Sequence, residues 1–301
     1  MIAAITFLFG IVIGSFLNVC IHRLPRWESV VAPRSHCPHC QKPIAAYDNI
    51  PLLSFLLLGG KCRHCRARIS PVYFFVELST GLVFLFSYSL FGTSVEFLRQ
   101  AVFGSLLIVL VMTDWQERIL PDLINFPGMA MGLLFSLMVP VGDGSGLWLA
   151  RLVGIEGLPI QMISLFDGLL GALAGWGFLQ LTRQLWAVLT KRRIDQVMGM
   201  GDLKMMAMVG CFLGPKLTLL TIFVGSFLGA LLGGALSIVL VARPSYFRRF
   251  RSRLREIQSY RLFFALVRRQ KIPFGCFLGV GAFAASLWGW PILNWYRSFF
   301  P

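Results

Sequence analysis

The sequence predicts an all-α polytopic membrane protein of about eight transmembrane helices, with a small cytoplasmic zinc-knuckle domain between helices 1 and 2. Three observations predict it. Hydrophobic residues make up 56% of the 301 positions and charged residues only 14%, whereas a soluble domain carries about 25% charged residues. The apolar residues fall into runs, and about 20 such residues span a bilayer as a helix. Between the first two runs lie two Cys-x-x-C pairs, the spacing of a closed thiolate metal site.

The apolar runs lie near 2–20, 72–91, 98–113, 123–141, 165–189, 203–214, 216–242 and 273–297. The first lacks a basic leader region and a small-residue cleavage site, so it reads as a retained helix. The sixth is short and Met-rich, which suits a half-span or a tilted helix packed inside the bundle.

The net charge of +15 is a topology signal rather than a sign of a nucleic-acid partner. With eight spans, 23 of the 28 Lys and Arg residues fall at one side of the bundle. They occupy 21–71, 114–122, 190–202, 243–272 and the mouth of the sixth span at Lys204. The positive-inside rule makes that side cytoplasmic, with both termini outside. The loop 243–272 holds Arg248, Arg249, Arg251, Arg253 and Arg255, and reads as a helix lying on anionic membrane lipids. The outside loop 142–164 has five glycines and few charges; a short interfacial helix fits there, and no chemistry.

Cys37-Pro38-His39-Cys40 and Cys62-Arg63-His64-Cys65 are separated by 21 residues. Two such knuckles supply four thiolates to one tetrahedral Zn²⁺, leaving no open position, so the zinc is expected to be structural. A cytosolic location argues against disulfides. Gly59 and Gly60 supply the turn into the second knuckle. The linker Asp48-Asn49-Ile50-Pro51 reads as a turn leading to an apolar segment that packs back on the membrane face. Cys20, Cys211 and Cys276 lie in apolar runs and read as small packing residues.

Acids at the feet of apolar spans are costly, and this chain has several on the basic side. Gly199-Met200-Gly201-Asp202-Leu203-Lys204 opens the sixth span, and Asp114 to Asp122 joins the third to the fourth. The glycines before Asp202 remove Cβ bulk, so another backbone can approach its carboxylate. Two carboxylates held close share a proton, so one can take a proton from water while the other protonates a carbonyl. His22 is the only histidine outside the cysteine loop, and neither Gly-x-Ser-x-Gly nor His-Glu-x-x-His occurs. On these residues alone two readings stand open: a membrane peptidase, or a proton-coupled transporter with a structural zinc loop. A non-enzymatic membrane scaffold is a third class.

Five stretches in order carry a resemblance. They are Gly14-Ser15-Phe16-Leu17-Asn18-Val19 with Arg23-Leu24-Pro25, the two-knuckle loop with Asp48-Asn49-Ile50-Pro51, Asp114 to Asp122, Gly199 to Lys204, and Ile272-Pro273-Phe274-Gly275. Together they resemble the bacterial type IV prepilin leader peptidase/N-methyltransferase family, bifunctional aspartic enzymes with a Gly-x-Gly-Asp site. The resemblance implies Asp114 and Asp202 as catalytic, with Asp122, Gly199, Gly201 and Lys204 in supporting places. It implies cleavage of the basic leader of type IV prepilins or pseudopilins at the cytoplasmic face, then methylation of the new N-terminus by S-adenosylmethionine. It places the protein in the bacterial inner membrane. Its domains would be a first helix over 1–21, a zinc-binding, methyltransferase-associated domain over 22–71 and an aspartic peptidase domain over 72–301. Gly60, Lys61 and Glu77 are the places to look for the methyl donor, although Glu77 also reads as an interhelical hydrogen-bonding group. Cys276 stands where the family usually continues with proline, a change expected to be harmless.

Overall fold

The computed structural model describes residues 1–155, 157–191, 193–194, 198–235 and 273–299. The basic loop 243–272 and the distal part of the run 216–242 lie outside the described residues. The described chain is helical, and its only β pairing is two isolated bridges, His36 with Pro43 and Lys61 with Arg68.

The helices are α1 (Ile2–Arg23), α2 (Leu53–Leu57), α3 (Pro71–Phe91), α4 (Val95–Glu117), α5 (Asp122–Met138), α6 (Ser145–Leu152), α7 (Ile160–Thr190), α8 (Met200–Leu228) and α9 (Phe274–Arg297). Local chemistry sets several ends. The side chains of Ser70 and Ser94 accept from the N–H groups of Val72 and Phe97, capping α3 and α4. At the far end of α4, Arg118 turns left-handed (φ 57°) and its N–H donates to the Asp114 carbonyl at 3.0 Å. Pro121 then enforces an extended step before α5 begins at Asp122.

Six helical segments are long and apolar enough to cross a membrane: Ile2–Arg26, Pro71–Phe91, Val95–Glu117, Ile160–Thr190, Met200–Gly233 and Phe274–Arg297. The expected count of eight is reached only by adding the shorter apolar helix Asp122–Met138 and by dividing α8.

That division is physical. Gly214 inside α8 has φ 74° and ψ 172°, and Pro215 follows it. A Cβ on Gly279 of α9 would lie 3.3 Å from the Met205 side chain, while one on Gly225 would lie 3.0 Å from Leu278. Residues 205 and 225 therefore meet the same turn of α9, and Leu217 meets Gly289 farther along it. The chain reverses at Gly214, so α8 is a helical hairpin with arms 200–213 and 215–228. Left-handed backbone at that point needs glycine.

The first arm is the centre of the bundle. Leu203, Met205, Met206, Met208, Val209 and Phe212 are buried against Phe103 and Leu110 of α4 and Leu278 of α9. A helix apolar on all sides belongs inside a bundle, which answers the expectation for the short Met-rich run. Against α7 the approach is closer still, because a Cβ on either Gly171 or Gly210 would overlap the other's backbone.

The far end of the hairpin is fastened polar group by polar group. The Lys216 N–H donates to Asp143 Oδ2 at 2.8 Å, and Asp167 accepts from the N–H groups of Gly144 and Gly146 at the start of α6. The loop expected to hold a short helix does hold one, α6, locked by buried carboxylates.

Candidate active site and cysteine cluster

The opposite end of the bundle holds Asp114, Asp122 and Asp202. Asp114 sits in the last turn of α4 and is 7% exposed. Its Oδ2 accepts from the Cys276 N–H at 3.0 Å, in the first turn of α9. Asp202 sits in the first turn of α8, which follows Gly199 as N-cap. A carboxylate there faces the positive end of the helix dipole. Asp202 lies within the electrostatic reach of Asp114, and the Cys276 thiol lies within reach of both. Three helix ends, α4, α8 and α9, thus converge on one carboxylate pair.

Leu120 and the glycines set the spacing. A Cβ on Gly201 would lie 2.9 Å from Leu120 Cβ, and one on Gly275 would lie 2.8 Å from Asp114 Oδ2 and 3.2 Å from Leu120 Cδ1. The space expected beside Gly201 for an approaching backbone is therefore taken by Leu120. On the Gly199 side the described residues leave space: a Cβ there would meet none of them nearer than Asp202 Oδ2 at 3.8 Å.

Asp122, the third acid of the loop, is engaged elsewhere. Lys204 Nζ donates to its Oδ1 at 2.8 Å and its Oδ2 at 2.7 Å, and lies 5.3 Å from the Phe126 ring centre. Buried Arg183 of α7 donates from Nε to the Ile194 carbonyl at 3.3 Å, fastening the approach to Gly199. Cys276, read from sequence as packing, is a lining residue whose thiol also donates to the Val111 carbonyl at 3.2 Å. No spacing signal could have found it, because its partner Asp114 is 162 residues away.

The four cysteines of the loop do come together. The Sγ atoms of Cys37, Cys40, Cys62 and Cys65 all lie within 4.8 Å of one another, and those of Cys37 and Cys65 are 3.8 Å apart. Ligands at a Zn–S distance of about 2.3 Å in a tetrahedron are about 3.8 Å apart, so the donor set fits Zn²⁺. The two knuckles repeat one construction. Cys37 and Cys62 N–H groups donate to the Lys42 and Ala67 carbonyls, and Gln41 and Arg66 N–H groups donate back to the Cys37 and Cys62 carbonyls. Gln41 and Arg66 are both left-handed, at φ 57° and 59°. The N–H groups of Cys65 and His64 hold the Cys62 thiol down to about 7, which favours the thiolate that binds metal.

The linker between the knuckles docks on α3. Arg63 holds Asp48 with two hydrogen bonds, at 2.7 and 2.6 Å. Phe55 of α2 packs on Phe74 at 5.5 Å, and the Leu52 N–H donates to Glu77 Oε2 at 2.8 Å. Arg26, just past α1, pairs with Glu117 at 2.7 Å, so the cysteine loop leaves the bundle at the end that carries Asp114. The three residues considered for the methyl donor lie around this linker and the knuckle it leads to. Gly60 faces the Phe55 ring, where a Cβ would be 3.1 Å away; Lys61 is exposed on the knuckle; Glu77 is buried and engaged by Leu52.

Comparison with known proteins joins these two regions. Residues 8–91 match the model of the bacterial peptidase A24 N-terminal domain, and residues 101–234 match that of the type IV leader peptidase family. A prepilin leader peptidase/N-methyltransferase of Aeromonas hydrophila is 32% identical over 99% of this chain and 94% of its own length. Proteins of the same description from Bacillus subtilis and Pseudomonas aeruginosa are 33% and 31% identical, over 97% and 98% of this chain and 97% and 93% of their own lengths. No solved structure matches the chain. With both regions matched in order and similarity running nearly end to end, the chain belongs to the type IV leader peptidase family.

Proposed function

We propose that the chain is a bifunctional enzyme that cleaves the leader of type IV prepilins or pseudopilins and then methylates the new N-terminus. Its relatives bear both activities in their descriptions. Cleavage takes place at the cytoplasmic face of a bacterial inner membrane, by the pair Asp114 and Asp202. The observation that carries this reading is that the helix ends bearing Asp114 and Asp202, far apart in sequence, pack around the same Leu120 at the basic end of the bundle.

In this reaction one carboxylate of the pair is charged and the other protonated. The charged one takes a proton from water as its oxygen attacks the scissile carbonyl carbon. The protonated one gives its proton to the carbonyl oxygen. Collapse of the tetrahedral intermediate breaks the C–N bond; the proton taken from water passes to the leaving amine, and the other aspartate takes back a proton from one of the two hydroxyls of the intermediate. The open side of Asp202 beside Gly199 is the place for the substrate backbone. Asp122 stays out of the chemistry, because Lys204 neutralises it.

Methylation consumes S-adenosylmethionine, which supplies an electrophilic methyl group when bound. Gly60, Lys61 and Glu77, gathered around the linker that docks on α3, are the places to look for its pocket. Zn²⁺ on the four cysteines holds the knuckles as a structural metal.

The transporter reading has less support. Asp143 and Asp167 at the far end are consumed as hydrogen-bond acceptors. Between the two ends the first arm of α8 presents only apolar side chains after Lys204. A proton path would need polar groups there.

The test is a prepilin co-expressed with the chain and weighed at its new N-terminus. Asp114→Asn and Asp202→Asn should each leave the leader intact, with cleavage reduced about a thousandfold or more. Wild type should remove the leader and add about 14 Da, the mass of one methylene as a hydrogen becomes a methyl group, which signals N-methyl transfer. Normal cleavage by Asp202→Ala would overturn the assignment.

A further inference from the structure

At the end of the bundle away from Asp114, a cavity of about 60 Å³ is lined by Arg99, Gln100, Phe103, Leu217, Ser286 and Trp290, among others. It lies where α4, the α8 hairpin and α9 meet, the three elements whose other ends carry Asp114, Asp202 and Cys276. The wall includes a polar pair, with Gln100 Nε2 donating to Ser286 Oγ at 2.7 Å. Arg99 Nη1 is buried and has no hydrogen-bond partner among the described residues. Glu96, one turn back on α4, acts on Arg99 only through space and makes no ion pair with it.

A guanidinium cannot shed its charge by losing a proton, as a buried lysine can. Its enclosed Nη1–H must therefore find an acceptor, and its partly exposed charge, met by Glu96 only at a distance, is stabilised by a nearer counter-charge. Water supplies the first but not the second. The volume exceeds the roughly 10–15 Å³ that one water needs, which leaves room for a compact anion. Ser286 already gives its hydroxyl proton to the Phe283 carbonyl, and we infer that Arg99, with the remaining Gln100 N–H, forms an anion site that pins α4, the α8 hairpin and α9 together at this end of the membrane. Its ligand chemistry is a single negative charge of small radius, from a halide in solution or from the phosphate oxygens of an anionic lipid headgroup. The site is separate from the peptidase reaction and does not depend on that assignment.

The experiment is thermal unfolding of the purified full-length chain in detergent, titrated with sodium chloride against sodium gluconate at constant ionic strength. Lipid phosphorus is measured on the same sample. If the anion is a halide, wild type gains about 5 °C, saturably, at a hundredfold excess over Kd, and Arg99→Gln loses the gain. If it is a lipid phosphate, chloride has no effect, wild type retains about one phospholipid per chain through delipidation, and Arg99→Gln retains none. Chloride responses and lipid retention that are the same in wild type and Arg99→Gln would overturn the site and leave a water-filled cavity. Should Arg99→Gln fail to fold, wild-type crystals soaked in sodium bromide carry the test for the halide. An anomalous peak beside Arg99 supports the site. Its absence, together with complete delipidation, overturns it.

Discussion

Lys204 Nζ spans both carboxylate oxygens of Asp122, at 2.8 and 2.7 Å, two residues after Asp202 on the same helix. The pair fastens the start of α8 to the start of α5 and removes a third negative charge from the neighbourhood of Asp114 and Asp202. Both side chains are partly exposed, 28% and 43%, so its direct worth to stability is at most about 1 kcal/mol. Its larger effect falls on the site. Asp122→Asn and Lys204→Met should each slow leader cleavage by about tenfold, a barrier change of about 1.4 kcal/mol, without abolishing it. The double variant should be no slower than the worse single one. Additive losses in that double-mutant cycle would show that the two residues act separately.

Gly275 decides how close α9 comes to Asp114. In Gly275→Ala the new methyl would lie 2.8 Å from Asp114 Oδ2 and 3.2 Å from Leu120 Cδ1. The carboxylate must move, and misplacement of a catalytic group by about 1 Å costs about a hundredfold in rate. Cleavage should fall by that order while the unfolding midpoint changes little. Gly210→Ala is the contrast. Its methyl meets the Gly171 backbone, which cannot yield as a side chain does, and the expected result is loss of folded protein from the membrane.

The helices and the cysteine cluster were legible in the sequence because each rests on short-range pattern. Apolar run length sets a span, and Cys-x-x-C spacing sets a knuckle. The third-to-fourth-span loop and the Gly-x-Gly-Asp stretch also showed acids at span ends. What the pattern did not carry was contact between distant segments. Leu120 filling the space beside Gly201, Cys276 donating to Asp114, and Asp143 receiving the Lys216 N–H all depend on how helix ends meet. The hairpin in α8 lay between. Its Gly214-Pro215 break is visible as a boundary between two apolar runs, but the reversal shows only where residues 205 and 225 face the same turn of α9.

The Asp48–Arg63 pair makes a prediction about acid. The Arg63 hydrogen bonds hold the Asp48 carboxyl below its usual range, which is about 3.9 in an unfolded chain. A carboxylate with a depressed folded value contributes stability that is complete above the unfolded value and is lost as pH falls through the folded one. The difference in stability between wild type and Asp48→Asn should be flat from pH 8 to about 5 and shrink below about 4. Comparing the two proteins at each pH cancels the loss of zinc that acid causes in both. A difference that grows as pH falls would contradict the pairing.

Removing zinc should separate the two activities. The knuckles hold no apolar core of their own, since Cys37 is the one buried residue in 27–53 and none is buried in 59–71, so metal must supply their order. The loop meets the bundle through Arg23 on the Ser29 and Pro33 carbonyls, Arg26 on Glu117, Leu52 on Glu77 and Phe55 on Phe74, and none of these contacts is made by Asp114, Asp202 or Gly275. The purified chain should carry one zinc per molecule. Cys37→Ser or Cys62→Ser should lower that content, release the linker from α3 and leave residues 21–71 open to protease. Cleavage should then survive at a reduced rate, because α4, the α8 hairpin and α9 still converge, while methylation should fall to background. Equal losses of cleavage and methylation in a zinc-free protein that still unfolds cooperatively would mean that the knuckles also guide the leader to Asp114 and Asp202.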